Sequence, residues 1–103
     1  MADFMKILQQ AQEMQGRFQK LQEELQQQTV KASSAGGMVT VEANGQGTVK
    51  SIKIDPSIVN ASDVEMLEDL VLVAVTEAQK KAQEAMQAEM GKLTGGLPFK
   101  LPF

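Results

Sequence analysis

The 103-residue sequence contains neither cysteine nor histidine. The first absence removes disulfides, thiolate catalysis and the usual structural zinc sites, and it leaves the redox compartment open. The second removes the commonest metal ligand and general base, so Ser33, Ser34 and Ser51 have no imidazole to activate them. Tryptophan and tyrosine are also missing, and four phenylalanines are little material for an aromatic binding cleft. Long apolar runs are absent too. The longest, residues 70–75, is far short of the roughly 20 residues a membrane span needs. The first residues lead directly into a Gln-rich pattern without the apolar core of a signal peptide. These absences predict a soluble, cytoplasmic protein that binds rather than catalyses, with no cofactor, no metal, no membrane and no small-molecule substrate.

Positive charge is not in excess either. Ten Lys and Arg against 13 Asp and Glu give a net charge of -3, and the average therefore gives no electrostatic reason to expect nucleic acid. What the chain has is 43% hydrophobic residues, dominated by Ala, Val, Leu, Ile and seven Met. At this length one domain is expected, burying only about 60 to 65% of its unfolded surface. Such a core is marginal unless a partner adds to it.

Residues 4–27 lack proline and are rich in Gln, Glu, Lys, Met and Leu, which favour helix. Phe4, Leu8, Ala11, Met14, Phe18, Leu21 and Leu25 recur at steps of three and four and form one stripe. That stripe is too long for a small sheet to cover, so part of it should meet the second helix or a partner. From Gln28 the period becomes two. Residues 29–33, 38–43 and 48–54 read as strands, separated by Ala35-Gly36-Gly37 and by Asn44-Gly45-Gln46-Gly47, whose residues suit the positive φ of a tight hairpin. Short connections predict an antiparallel meander with one apolar face. Asp55 and Pro56 end the third strand.

Ser62 or Asp63 then caps a second helix, Ser62 with Glu65 giving a capping-box pattern. Val64, Leu67, Val71, Ala74, Ala78, Ala82, Ala85 and Leu93 form its stripe. Leu70, Leu72 and Val73 lie off it, so the first half is apolar nearly all round and should touch both its own sheet and a second copy. The expected dimer surface is Leu67, Leu70, Val71, Leu72, Val73 and Ala74. Two Gly and two Pro after residue 94 predict a flexible tail over 94–103 following a single domain over 1–93.

Candidate chemical groupings reduce to structural ones. Glu23 with Glu24, and Glu65 with Glu68 and Asp69, read as solvated helix carboxylates without a His or Cys beside them. Asn44-Gly45-Gln46-Gly47 lacks the Lys-Ser/Thr ending of a phosphate loop and joins two strands. The basic residues leave two readings open. Lys6, Arg17 and Lys20 fall within roughly 60° on a helical wheel, at about 100° per residue, a row able to follow a phosphate backbone. Glu13 and Glu24 share the arc, however, and stand four residues from Arg17 and Lys20, the spacing of intrahelical ion pairs. Lys80 and Lys81 mark the second helix. Lys31, Lys50 and Lys53 mark the outer sheet face, where Lys also guards edge strands.

Ala35-Gly36-Gly37-Met38-Val39, Asn44-Gly45-Gln46-Gly47, Val49-Lys50-Ser51-Ile52-Lys53-Ile54-Asp55-Pro56 and Glu68-Asp69-Leu70-Val71-Leu72-Val73-Ala74-Val75 follow one another in an order that resembles the YbaB/EbfC family of bacterial nucleoid-associated proteins. The Gln-rich first helix, the Ala- and Lys-rich second helix and Thr94-Gly95-Gly96-Leu97 extend the likeness over essentially the whole chain. The resemblance implies an α+β fold of long helix, three-stranded antiparallel β-meander and long helix, assembled as a tweezer-like homodimer with sheets and second helices central. It also implies double-stranded DNA binding in the nucleoid, effects on nucleoid organisation and gene expression, and no catalysis. It supplies no short DNA-contacting motif. The expected DNA-binding residues, Lys6, Arg17, Lys20, Lys80 and Lys81, therefore rest on charge placement. The competing expectation is a protein-interaction module that recruits DNA repair or replication machinery through the apolar helix flanks and the tail.

Overall fold

Two long helices bracket a small sheet in the computed structural model, which describes residues 2–94. The order is α1 (Ala2–Gln27), β1 (Val30–Ser34), β2 (Val39–Ala43), β3 (Val49–Ile54) and α2 (Val64–Thr94). The sheet is an antiparallel meander, β1-β2-β3. The α+β architecture and the strand positions agree with the sequence reading to within a residue or two. Residues 95–103, most of the expected tail, lie outside the described residues, and α2 continues through Gly91 to Thr94.

Register decides which side chains share a face, because directly paired residues point the same way. Ala32 opposes Val41, Val41 opposes Ile52, and Val39 opposes Ile54. The outer face carries Lys31 opposite Glu42 and Thr40 opposite Lys53. On the inner face Val39 and Val41 are fully buried beneath Ala74 and Ala78 of α2. Alanines every four residues let the helix backbone approach the sheet closely, so a core is built with little side-chain volume. Ser34 Oγ donates to the Leu70 carbonyl at 2.7 Å and Lys81 Nζ to the Lys31 carbonyl at 2.8 Å. These bonds tie α2 along the β1 edge.

α2 crosses β1 and β2 and leaves β3 partly uncovered. Ile52 and Ile54, on the inner face, remain 45% and 37% exposed. The sheet thus has an apolar face that its own helix does not finish covering.

The connection from α1 to the sheet depends on the β2–β3 turn. Buried Asn44 accepts through Oδ1 from the backbone N–H groups of Gln46 (2.9 Å) and Thr48 (3.0 Å). Within 44–47 only Gly47 has a positive φ, 87°. Gly45 serves another purpose: its N–H donates to the Leu25 carbonyl at 2.7 Å, and a Cβ there would stand 2.8 Å from that oxygen. The end of α1 is therefore seated directly on the hairpin. Asp63, rather than Ser62, caps α2, its carboxylate accepting from Met66 N–H at 3.2 Å. At the exit of β3, the Ser57 backbone N–H donates to Asp55 at 2.9 Å and holds that carboxyl below its usual 3.8.

Only Leu21 and Leu25 of the α1 stripe are buried; Phe4, Leu8 and Phe18 are exposed. The helices extend past the sheet, giving a long axis of 73 Å and a radius of gyration of 19.8 Å, against about 13 Å for a compact domain of this length.

Candidate nucleic-acid interface

α1 runs toward the sheet and the last third of α2 runs away from it, so the two helices meet as an antiparallel pair beyond the sheet. Between them lies an open cleft of about 280 Å³ bordered by Arg17, Lys20, Leu21 and Glu24 of α1 and by Glu89 and Lys92 of α2. Arg17 and Lys20 stand one helical turn apart, and Leu21 closes the floor where the helices touch. Three cations face two carboxylates here. Glu89 is taken by Lys92, at 3.4 Å. Among the described residues the ion pairs are this one and Lys31–Glu42 at 3.3 Å. The Glu13–Arg17 and Lys20–Glu24 pairs allowed by spacing do not form, and both α1 cations are exposed.

The other expected DNA-binding residues separate. Lys6 lies on the same arc of α1, exposed, 11 residues from Arg17, about 16 Å along the helix axis. Lys80 is exposed on the outer side of α2. Lys81 is exposed, but its ammonium is held by the Lys31 carbonyl. Lys92 was not among the expected residues. Its signal was the spacing to Glu89, hidden by reading Gly91 as the approach to a tail.

The residues expected to face a second copy also divide. Leu67, Val71 and Leu72 line an apolar groove of about 450 Å³ together with Ile54, Glu68 and Val75. Leu72 is 64% exposed; Val73 is exposed on the opposite flank of α2. Leu70 packs against the core, and Ala74 is fully buried under the chain's own sheet, where it has no surface left for a partner. Ile54 was missed because its alternation with Lys53 shows a buried face, not that α2 falls short of it. Among the described residues no helix is long and apolar enough to cross a membrane, and no three acidic side chains are placed to hold a metal ion.

A helix, three-strand meander, helix chain with a cation-bordered cleft between projecting helices defines a class of binding proteins. The YbaB/EbfC DNA-binding family model matches residues 1–97, and the chain belongs to that family of nucleoid-associated, DNA-binding proteins. It is 56% identical over 103 residues to a nucleoid-associated protein of Gemmatimonas aurantiaca, covering 98% of this chain and 99% of that one. It is 43% identical over 107 residues to a nucleoid-associated protein of Brucella ovis, covering the full length of both. The crystal structure of protein HP0035 from Helicobacter pylori matches with a TM-score of 0.81 at 25% identity, over 89% of this chain and 97% of that one.

Proposed function

We propose that this protein binds double-stranded DNA as a homodimer, mainly through the phosphate backbone, and thereby influences nucleoid organisation and gene expression from the cytoplasmic nucleoid, without catalysing a reaction. The observation that carries this reading is the inter-helix cleft, where Arg17 and Lys20 stand exposed and without an ion pair beside Lys92. Most of the acidic excess sits elsewhere: Glu65, Asp69, Glu77 and Glu84 lie on the solvent side and flank of α2, all exposed. A net charge of -3 is thus compatible with a local positive row. Guanidinium and ammonium groups without carboxylate partners bind phosphates by releasing condensed counterions, with little sequence preference.

The dimer supplies the second half of the surface. The groove of Ile54, Leu67, Val71, Leu72 and Val75, with half-exposed Ile52 beside it, is an apolar surface that the chain's own α2 leaves uncovered on β3. A second copy placing the same surface there would complete the cover on β3 in both chains at once. It would also double every basic cluster.

Fluorescence anisotropy with a labelled duplex at low salt tests the reading. Arg17→Glu with Lys20→Glu should weaken binding at least about tenfold, a loss of roughly 1.4 kcal/mol, while Lys81→Gln should leave it nearly unchanged. Unaltered affinity in the charge-reversed protein would remove the cleft from the account.

A further inference from the structure

The apolar stripe of α1 is uncovered over its outer half. Phe4, Ile7, Leu8 and Phe18 are between 40% and 64% exposed, Ala11 is exposed and Met14 is half-buried. Hydrogen bonds from the sheet reach α1 only near its end, at the Gln22 and Leu25 carbonyls, and the cleft with α2 begins at Arg17. The groove offered to a second copy in the dimer lies elsewhere, between β3 and α2.

We propose that this stripe is a self-complementary seam, which pairs antiparallel with the α1 stripe of a second copy about a twofold axis at Ala11. The pattern of side chains points to it. Phe4, Leu8, Ala11, Met14 and Phe18 follow at steps of four, three, three and four, and they read large, medium, small, medium, large from either end. Inverted about Ala11, Phe4 meets Phe18 of the second copy, Leu8 meets Met14, and Ala11 meets its twin. A small residue at the axis lets the helices approach to the about 8–10 Å at which side chains interdigitate.

Charge fixes the orientation. Asp3 and Arg17 are exposed on one flank of the stripe, roughly 80° and 120° from Ala11 at about 100° per residue. An antiparallel twofold keeps like flanks together, so Asp3 of each chain comes level, to about 3 Å of helix rise, with Arg17 of the other. A parallel pair would instead set Asp3 against Asp3 and Arg17 against Arg17. Lys6 and Lys20 stand roughly 140° and 180° from Ala11 and face away from the seam. The five N–H groups of Arg17 can serve a carboxylate and a phosphate together.

The overlap over residues 4–18 places the two sheets beyond opposite ends of the seam, clear of each other. The seam is about 21 Å long and one helix, about 10 Å, wide, well short of the roughly 1,200 Å² of a stable interface. Pairing is therefore transient in dilute solution and forms where copies are concentrated. It does not depend on the groove between β3 and α2; used together, the two contacts join dimers end to end.

The chain has no cysteine, so disulfide formation at introduced cysteines reads the pairing directly. In concentrated protein Ala11→Cys should link chain to chain at least about tenfold faster than Gln15→Cys, whose twin would lie about 12 Å away along the axis, beyond the about 7 Å that a disulfide can bridge. Equal rates overturn the proposal, whether both are fast, as in a parallel pair, or both slow. Leu8→Glu added to the Ala11→Cys chain should lower linking to the Gln15→Cys rate with the helical signal retained, and unchanged linking would also overturn it. Leu72→Glu added instead should leave Ala11→Cys linking intact. Loss of the link there would assign the contact to the groove and overturn the seam.

Discussion

Gly45 shows how differently a residue can act from what its neighbours in sequence suggest. Beside Asn44 and Gly47 it reads as a turn glycine chosen for positive φ, yet only Gly47 adopts that conformation. Gly45 is small because α1 ends against it, with the Leu25 carbonyl, Leu25 Cδ2 and Gln28 Oε1 all within 2.9 Å of where a Cβ would stand. A pattern of residue types carries φ preferences but not the approach of a distant backbone. Gly45→Ala should therefore destabilise the protein by about 1 to 3 kcal/mol, the usual consequence of overpacking a closed site. Gly16→Ala, which meets nothing within 4 Å in the middle of α1, should instead stabilise by about 0.5 to 1 kcal/mol. Urea midpoints at one protein concentration separate the two. The same reading of residues found Arg17 and Lys20 and missed Lys92, since a wheel describes one helix and the cleft is made by two.

Elements were the most legible part of the chain. Periods of 3.6 and 2 placed the helices and strands, and proline at position 56 closed the sheet. The limits of α2 were less legible. Its start is set by Asp63, whose carboxylate meets the Met66 N–H, although Ser62 and Glu65 have the better-known spacing. Its end passes through Gly91 to Thr94, although glycine costs a helix about 1 kcal/mol relative to Ala. Asp63→Ala should lower stability by about 0.5 to 2 kcal/mol, as expected for a lost cap, and circular dichroism during urea titration measures it. Equal stability would mean that sheet packing at Ala74 and Ala78, not the cap, decides where the helix begins. The single helix α2 thus has two jobs along its length. Its first half covers β1 and β2 through alanines, and its last third forms one wall of the cleft.

At the scale of the whole molecule, the protein is an elongated body of 73 Å with an unfinished apolar surface at the sheet and a cation-bordered cleft between the helices. That the second helix is more apolar than its own sheet can use was visible in Leu72 and Val73, which are exposed, whereas Leu70, read the same way, packs against the chain's own core. That the deficit lies on the β3 side, at Ile54 and Leu72, was not, because it depends on how α2 crosses the strands. In the proposed dimer a charge at Leu72 is introduced twice across one symmetric contact. Leu72→Glu should accordingly convert a species of twice 11.2 kDa to the monomer in size-exclusion chromatography with light scattering, with the helical signal retained.

Backbone binding by the doubled basic row is the central claim, and the salt dependence of duplex affinity tests it most directly. Six cations per dimer, Lys6, Arg17 and Lys20 from each chain, predict that log Kobs falls against log salt with a slope of roughly -5, at about -0.9 per phosphate engaged. Arg17→Glu with Lys20→Glu should flatten that slope. A wild-type slope near zero would contradict the account.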